Sequence, residues 1–141
     1  MYVLDTDVVS HLRRPEKAHP NVVAWASNTP VTPHFISAIT ILELERGILS
    51  MERKDAAQGA ILRAWMEGQI LVRFSGRILP VDIAVAQRCA KLHVPDPKPE
   101  RDALIAATAL VHGMTVVTRN VDDFEPTGVE ILNPWEWEPG R

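Results

Sequence analysis

The chain has 141 residues, 46% of them hydrophobic, with 15 basic against 18 acidic side chains and a net charge of −3. That is enough for one domain, residues 1–141, around one buried core, and it excludes a surface that attracts polyanions by overall charge, so any phosphate contact has to be local. The single cysteine, Cys89, excludes an internal disulfide, no apolar run reaches the roughly 18 residues of a membrane span, and Asp5 brings a charge too early for a signal peptide, so a reducing cytoplasm is the natural compartment.

In chain order, Tyr2 to Leu4 reads as a short buried strand that stops at Asp5, and Asp7 is placed to cap a short helix. Asn21 to Asn28 has a helical pattern, followed by a turn region with Pro30 and Pro33 and a second strand over His34 to Ile36. Ser37 is a reasonable cap for a helix from Ala38 to Ser50, whose apolar stripe Ala38, Ile41, Leu42, Ile48 and Leu49 leaves Glu43 and Arg46 on another face. A longer helix follows from about Lys54 to Ile70, then an extended segment over Arg77 to Val81 and a helix from Ile83 to Leu92. The prolines between Val94 and Pro99 make a loop, after which Glu100 and Asp102 suit the positive end of a helix running to His112 and closed by Gly113. Thr115 to Thr118 reads as a buried strand, Asn120 to Phe124 as a turn into a short helix, and Glu130 to Leu132 as the last strand.

Strands alternating with helices imply a three-layer α/β/α fold, with a central, mostly parallel sheet and a ligand crevice beyond the carboxyl ends of its strands. Asp5, Asp102, Asn120 and Asp123 can all reach that edge. Singly, each acid has an ordinary explanation: Asp5 as a cap, Asp102 as a partner of the helix dipole, Glu43 paired with Arg46 or boxed with Thr40, Asp123 in a solvated turn. Jointly they carry more, because Asp102 shares its helical face with Ala106, Ala109 and Gly113, small residues that allow close backbone approach. Carboxylates gathered in one crevice repel one another unless a cation or protons offset the charge, so the pattern predicts a divalent metal, Mg²⁺ or Mn²⁺, set against a phosphodiester.

Four segments then resemble the signatures of the PIN-domain family: Val3-Leu4-Asp5-Thr6-Asp7, Ile39-Thr40-Ile41-Leu42-Glu43-Leu44, Asp102 to Ala109, and Val117-Thr118-Arg119-Asn120. Asn133-Pro134-Trp135-Glu136 and Gly76-Arg77-Ile78-Leu79-Pro80 look like its VapC and FitB branch, the toxin halves of toxin–antitoxin pairs. The resemblance implies a metal-dependent ribonuclease toxin held in check by a VapB/FitA-like antitoxin, homodimeric, and able to sit with that antitoxin on operator DNA. It carries over Asp5, Glu43 and Asp102 as metal ligands, with Thr6 and Thr118 orienting them. For the fourth acidic position the resemblance offers Asn120 or Asp123; Asp123 is the expected charge, Asn120 the group that orients water or an aspartate, and Asp7 is either a further charge near the metal or a helix cap. Two rivals stand beside the toxin: a FitB-like subunit acting chiefly through a DNA-tethering partner with weak or no cleavage, and a housekeeping RNA-processing nuclease without antitoxin.

Other chemistries are weaker. The histidines lack zinc spacing, Cys89 has no partner cysteine, and neither a phosphate-binding loop nor a nucleophile elbow is present. Arg13, Arg14, Arg46, Arg73, Arg77 and Arg119 are suited to phosphate, though solvated surface charge is the commoner role, and the four Trp rings fit a core or partner interface better than base stacking. Ile48, Leu49, Ile61, Leu62 and Trp65 are candidates for a groove that receives an antitoxin helix.

Overall fold

A computed structural model of the protein describes residues 1–30 and 33–139. Five short strands, β1 (Tyr2–Leu4), β2 (His34–Ser37), β3 (Ile78–Leu79), β4 (Thr115–Val117) and β5 (Ile131–Leu132), form one sheet in the order β3-β2-β1-β4-β5. Every pairing is parallel, with Val3 opposite both Phe35 and Val116.

Parallel strands are covered on both faces, so their residues are apolar throughout and the alternation of side chains decides which layer each one meets. Leu4, Ile36 and Val117 point into one core with Val8, Trp25, Leu44 and Met66. Their neighbours Val3 and Val116 point into the other with Ile105, Ala106, Ala109 and Phe124. The first layer holds α1 (Thr6–His11), α2 (Pro20–Asn28), α3 (Ala38–Lys54), α4 (Ala56–Trp65) and the short α5 (Leu71–Arg73). The second holds α6 (Ile83–His93), α7 (Glu100–His112) and α8 (Val121–Phe124), with Val85 and Cys89 of α6 packed on Ala103 and Ala107 of α7.

The three-layer α/β/α expectation holds, and the differences from it have local causes. The helix expected from Ala38 to Ser50 runs four residues further, to Lys54, and the one expected from about Lys54 starts at Ala56: Asp55 between them is extended, and its carboxylate accepts from Gln58 N at 3.2 Å to cap α4. Past Trp65 the backbone widens into a π-helical turn, Met66–Ile70, that keeps both end residues in the core. Asp5, not Asp7, caps α1, its carboxylate accepting from Thr6 N at 2.8 Å. Ser37 caps α3 by accepting from Ile39 N at 3.0 Å, so Thr40 forms no capping box with Glu43 and is left for other work. Gly113 closes α7 in the left-handed region at φ 66°, the conformation glycine adopts most readily. The turn expected around Pro30 and Pro33 lies partly outside the described residues.

From β1 the chain winds outward to β2 and β3, then returns to the other side of β1 for β4 and β5. That reversal falls between β1 and β4, where the following loops diverge and leave a crevice beyond the strand ends.

Candidate metal centre

Asp5 leaves β1 at this crevice and is buried, with 6% of its surface exposed. Its second oxygen accepts from the hydroxyl of Thr118, the residue after β4, at 2.8 Å. The Thr118 oxygen in turn accepts from Asn120 N at 2.9 Å, so one buried threonine fixes both the acid and the turn behind it. Asn120 Nδ2 donates to Asp123 Oδ2 at 2.7 Å, and Asp7 Oδ2 accepts from Arg119 N at 3.1 Å.

Glu43 enters from α3. Thr6 donates to its Oε1 at 2.8 Å, and the Thr6 and Thr40 hydroxyl oxygens lie 3.0 Å apart. A hydroxyl has one proton and a carboxylate only accepts, so Thr40 is the donor to Thr6. The outer oxygen of Glu43 faces Arg101 at 3.5 Å. Asp102, in the first turn of α7, completes the group.

The acids feel one another. Burial, then the charge of Asp7, pushes the Asp5 carboxyl up to about 7, against hydrogen bonds from Thr118 and Thr6 that favour its charged form. Burial, then Asp123 and Glu43, pushes Asp102 up to about 6. Asp7 is also raised by burial, although the Arg119 backbone and side chain oppose the shift. The residues fit a hard divalent cation: the donors are carboxylate oxygens, and Asp7 Oδ1 is buried with no hydrogen-bond partner among the described residues. An oxygen in that condition is satisfied by a proton or by a cation.

The structure therefore brings together the metal-site candidates of the sequence: Asp5, Thr6, Asp7, Glu43, Asp102, Thr118, Asn120 and Asp123. Two participants were not foreseen. Arg101 pairs with Glu43, and Thr40 backs Thr6 from the same helix as Glu43. Thr40 had a signal in its place on the Glu43 helix; Arg101 had none beyond being next to Asp102.

A second cluster needs a different reading. Cys89, His93 and Glu100 bring ligand-type atoms within 4.8 Å of one another where α6 meets α7. Lys98 N donates to His93 Nδ1 at 3.1 Å, so in the neutral ring the proton sits on Nε2, which stands 3.3 Å from Glu100 Oε2. In that tautomer the His93 ring offers no lone pair to an ion, and its buried Nε2, opposite Glu100, makes no hydrogen bond among the described residues.

Grooves flank the acids. One of about 350 Å³ runs from Thr6 and Glu43 past Arg13 and Gly47 to Leu62. Another of about 250 Å³, lined by Val9, Leu12, Val23, Gln69 and Arg73, reaches buried His34. Of the residues expected to form a partner groove, Leu49 and Ile61 are exposed and Leu62 half-buried, whereas Ile48 and Trp65 are buried in the chain's own core. Trp25 is likewise core, while Trp135 and Trp137 are half-buried.

The PIN domain family matches residues 2–128. The chain is 36% identical over 143 residues to VapC ribonuclease Y4jK of Sinorhizobium fredii, covering 96% of this chain and 99% of that protein. It is 37% identical over 144 residues to toxin FitB of Neisseria gonorrhoeae, with the same coverage. A solved structure of FitAB bound to an IR36 DNA fragment superposes with a TM-score of 0.89 at 35% identity, covering 100% of both chains. Sheet order, acidic crevice and kinship agree: the chain belongs to the PIN-domain family, in the branch that contains the VapC and FitB toxins.

Proposed function

We propose that the 141-residue chain acts as a single-domain endoribonuclease toxin, cutting RNA phosphodiesters with Mg²⁺ or Mn²⁺ held by Asp5, Glu43, Asp102 and Asp123. The observation that carries this reading is the convergence of carboxylates, buried at Asp5 and half-buried at Glu43, Asp102 and Asp123, with the Asp5 and Asp102 carboxyls pushed well above the usual range. A divalent ion bound there supplies Lewis-acid polarisation of the phosphate and a water of lowered pKa.

The chain's own residues do the positioning. Thr118 holds Asp5 through one oxygen and leaves the side of Oδ1 to Thr6 N, so the carboxylate cannot rotate. Thr6, backed by Thr40, fixes Glu43. Asn120 orients Asp123, and its amide stands where it can also steer an attacking water. Fixed acids of this kind lower the reorganisation needed as charge develops on the departing oxygen.

The relatives' complexes support a partner as well: an antitoxin lying along the groove between α1, α3 and α4, a homodimer of the toxin, and assembly on operator DNA within the cytoplasm. The intact acid set favours cleavage over a purely regulatory role. Asp102→Asn should abolish metal-dependent cutting of single-stranded RNA by purified protein while the circular dichroism spectrum is kept. Full activity in that variant, with metal-free controls inactive, sinks the assignment.

A further inference from the structure

The acidic crevice presents a problem for any RNA. Asp5, Asp7, Glu43, Asp102 and Asp123 converge there, and Arg101, the cation nearest to them in sequence, is engaged with Glu43. A polyanion approaching this edge needs another positive group whose donors are free.

Arg119 meets that need. It lies between Thr118 and Asn120, and its backbone N–H is fixed on Asp7 at 3.1 Å, so its Cα cannot drift from the acids. Its guanidinium rests over the ring of Trp135 at 5.2 Å from the centroid. Among the described residues it has no ion-pair partner. The platform beneath it is anchored too: Asn21 Nδ2 donates to Trp135 O at 2.7 Å, Trp135 N donates to Asn133 Oδ1 at 3.0 Å, and the His11 ring packs on the indole at 4.9 Å. A guanidinium lying on an aromatic ring keeps its N–H edge available and loses little side-chain entropy when it meets a phosphate.

We infer that Arg119, seated on Trp135, forms a phosphate-binding subsite for single-stranded RNA beside the acidic crevice, taking a backbone phosphate next to the one that is cut. The inference rests on the ribonuclease reading and deepens it. Arg119 binds and positions the strand; the acids do the chemistry. Lys in its place keeps the charge and loses the planar fork and the stacking, and Trp135→Leu keeps the charge and loses the platform.

The test measures binding of a fluorescein-labelled, mixed-sequence single-stranded RNA by the Asp102→Asn protein, so that no cleavage intervenes, across a range of salt concentrations. Adding Arg119→Met should weaken binding about ten-fold at physiological salt and reduce the slope of log affinity against log salt by about 0.7, the value of one phosphate contact on a single strand. Arg119→Lys and Trp135→Leu should weaken binding while retaining the parent slope. In otherwise wild-type protein Arg119→Met should raise KM with kcat little changed. An unaltered slope and affinity in Arg119→Met, with the parent still binding RNA, overturns the subsite alone. A parent that binds no RNA overturns the ribonuclease reading with it.

Discussion

At the scale of single residues, the protons on Asp5 and Asp102 govern both stability and metal capture. Their carboxyls sit at about 7 and about 6 in the fold, above the ordinary 3.8, so the native state holds protons that the unfolded chain has released. The stability they lend the metal-free protein is complete below 3.8 and is lost as pH rises through about 7. His34 works in the opposite direction: burial and the charges of Arg77 and Arg73 push it down to about 4, so its contribution is complete above 6.5 and lost as pH falls through about 4. Asp5→Asn should therefore raise the thermal midpoint of the metal-free protein at about pH 8, with the gain shrinking toward pH 5 as the native Asp5 becomes protonated anyway. Mg²⁺ should stabilise the wild type strongly at about pH 8 and far less at about pH 6, where protons compete for the same oxygens, and should not stabilise Asp5→Asn. Calorimetry with and without Mg²⁺ checks both, and an equal Mg²⁺ effect in Asp5→Asn would falsify the ligand role. These residues were legible in the sequence because chemistry restricts which side chains hold a hard cation. Arg101 was not, because its role depends on which helix faces reach the crevice, a distance that no local pattern encodes.

At the scale of elements, α3 and α4 approach closely at Gly59. A Cβ on Gly59 would stand 2.5 Å from Glu52 Cα, inside backbone that cannot yield, so only glycine fits. Arg63 of α4 reaches back to both Glu45 and Glu52 of α3, the latter at 3.1 Å. Magnitudes decide which matters more. Gly59→Ala forces the helices apart and should cost about 1–3 kcal/mol, whereas Arg63→Met removes ion pairs with Glu45 and Glu52 that solvent screens, and should cost less. Denaturant midpoints should rank them in that order, and a larger loss in Arg63→Met would reverse it. The sequence carried the strands, α2, α6 and α7 to within a residue or two because apolar runs and caps mark them. It separated α3 from α4 but ended α3 at Ser50 rather than Lys54, because no stop signal distinguishes Met51 to Lys54 from helix until Asp55 caps the next one.

At the scale of the whole molecule, the groove between α1, α3 and α4 joins the acids to an open helix face. Gly47 on that face has nothing within 4 Å of where a Cβ would be, so a side chain there meets no part of the fold. Gly47→Arg should leave the toxin folded, and slightly stabilised by the gain in helix propensity, while obstructing an antitoxin in the groove. Co-expression checks it: growth should fail despite the antitoxin, and full rescue would move the partner's path elsewhere. The α/β/α layering was readable from the alternation of strands and helices, but the groove was not, since the same apolar residues serve core and partner alike until burial separates Ile48 from Leu49.

The chain reversal between β1 and β4 has one more consequence. Asp5 and the Thr118 that holds it stand 113 residues apart along the chain, so the central strand gains this contact only once β4 has come to lie beside it. A chain that stops before β4 lacks Thr118, Asn120 and Asp123, and with them one side of the proposed metal centre.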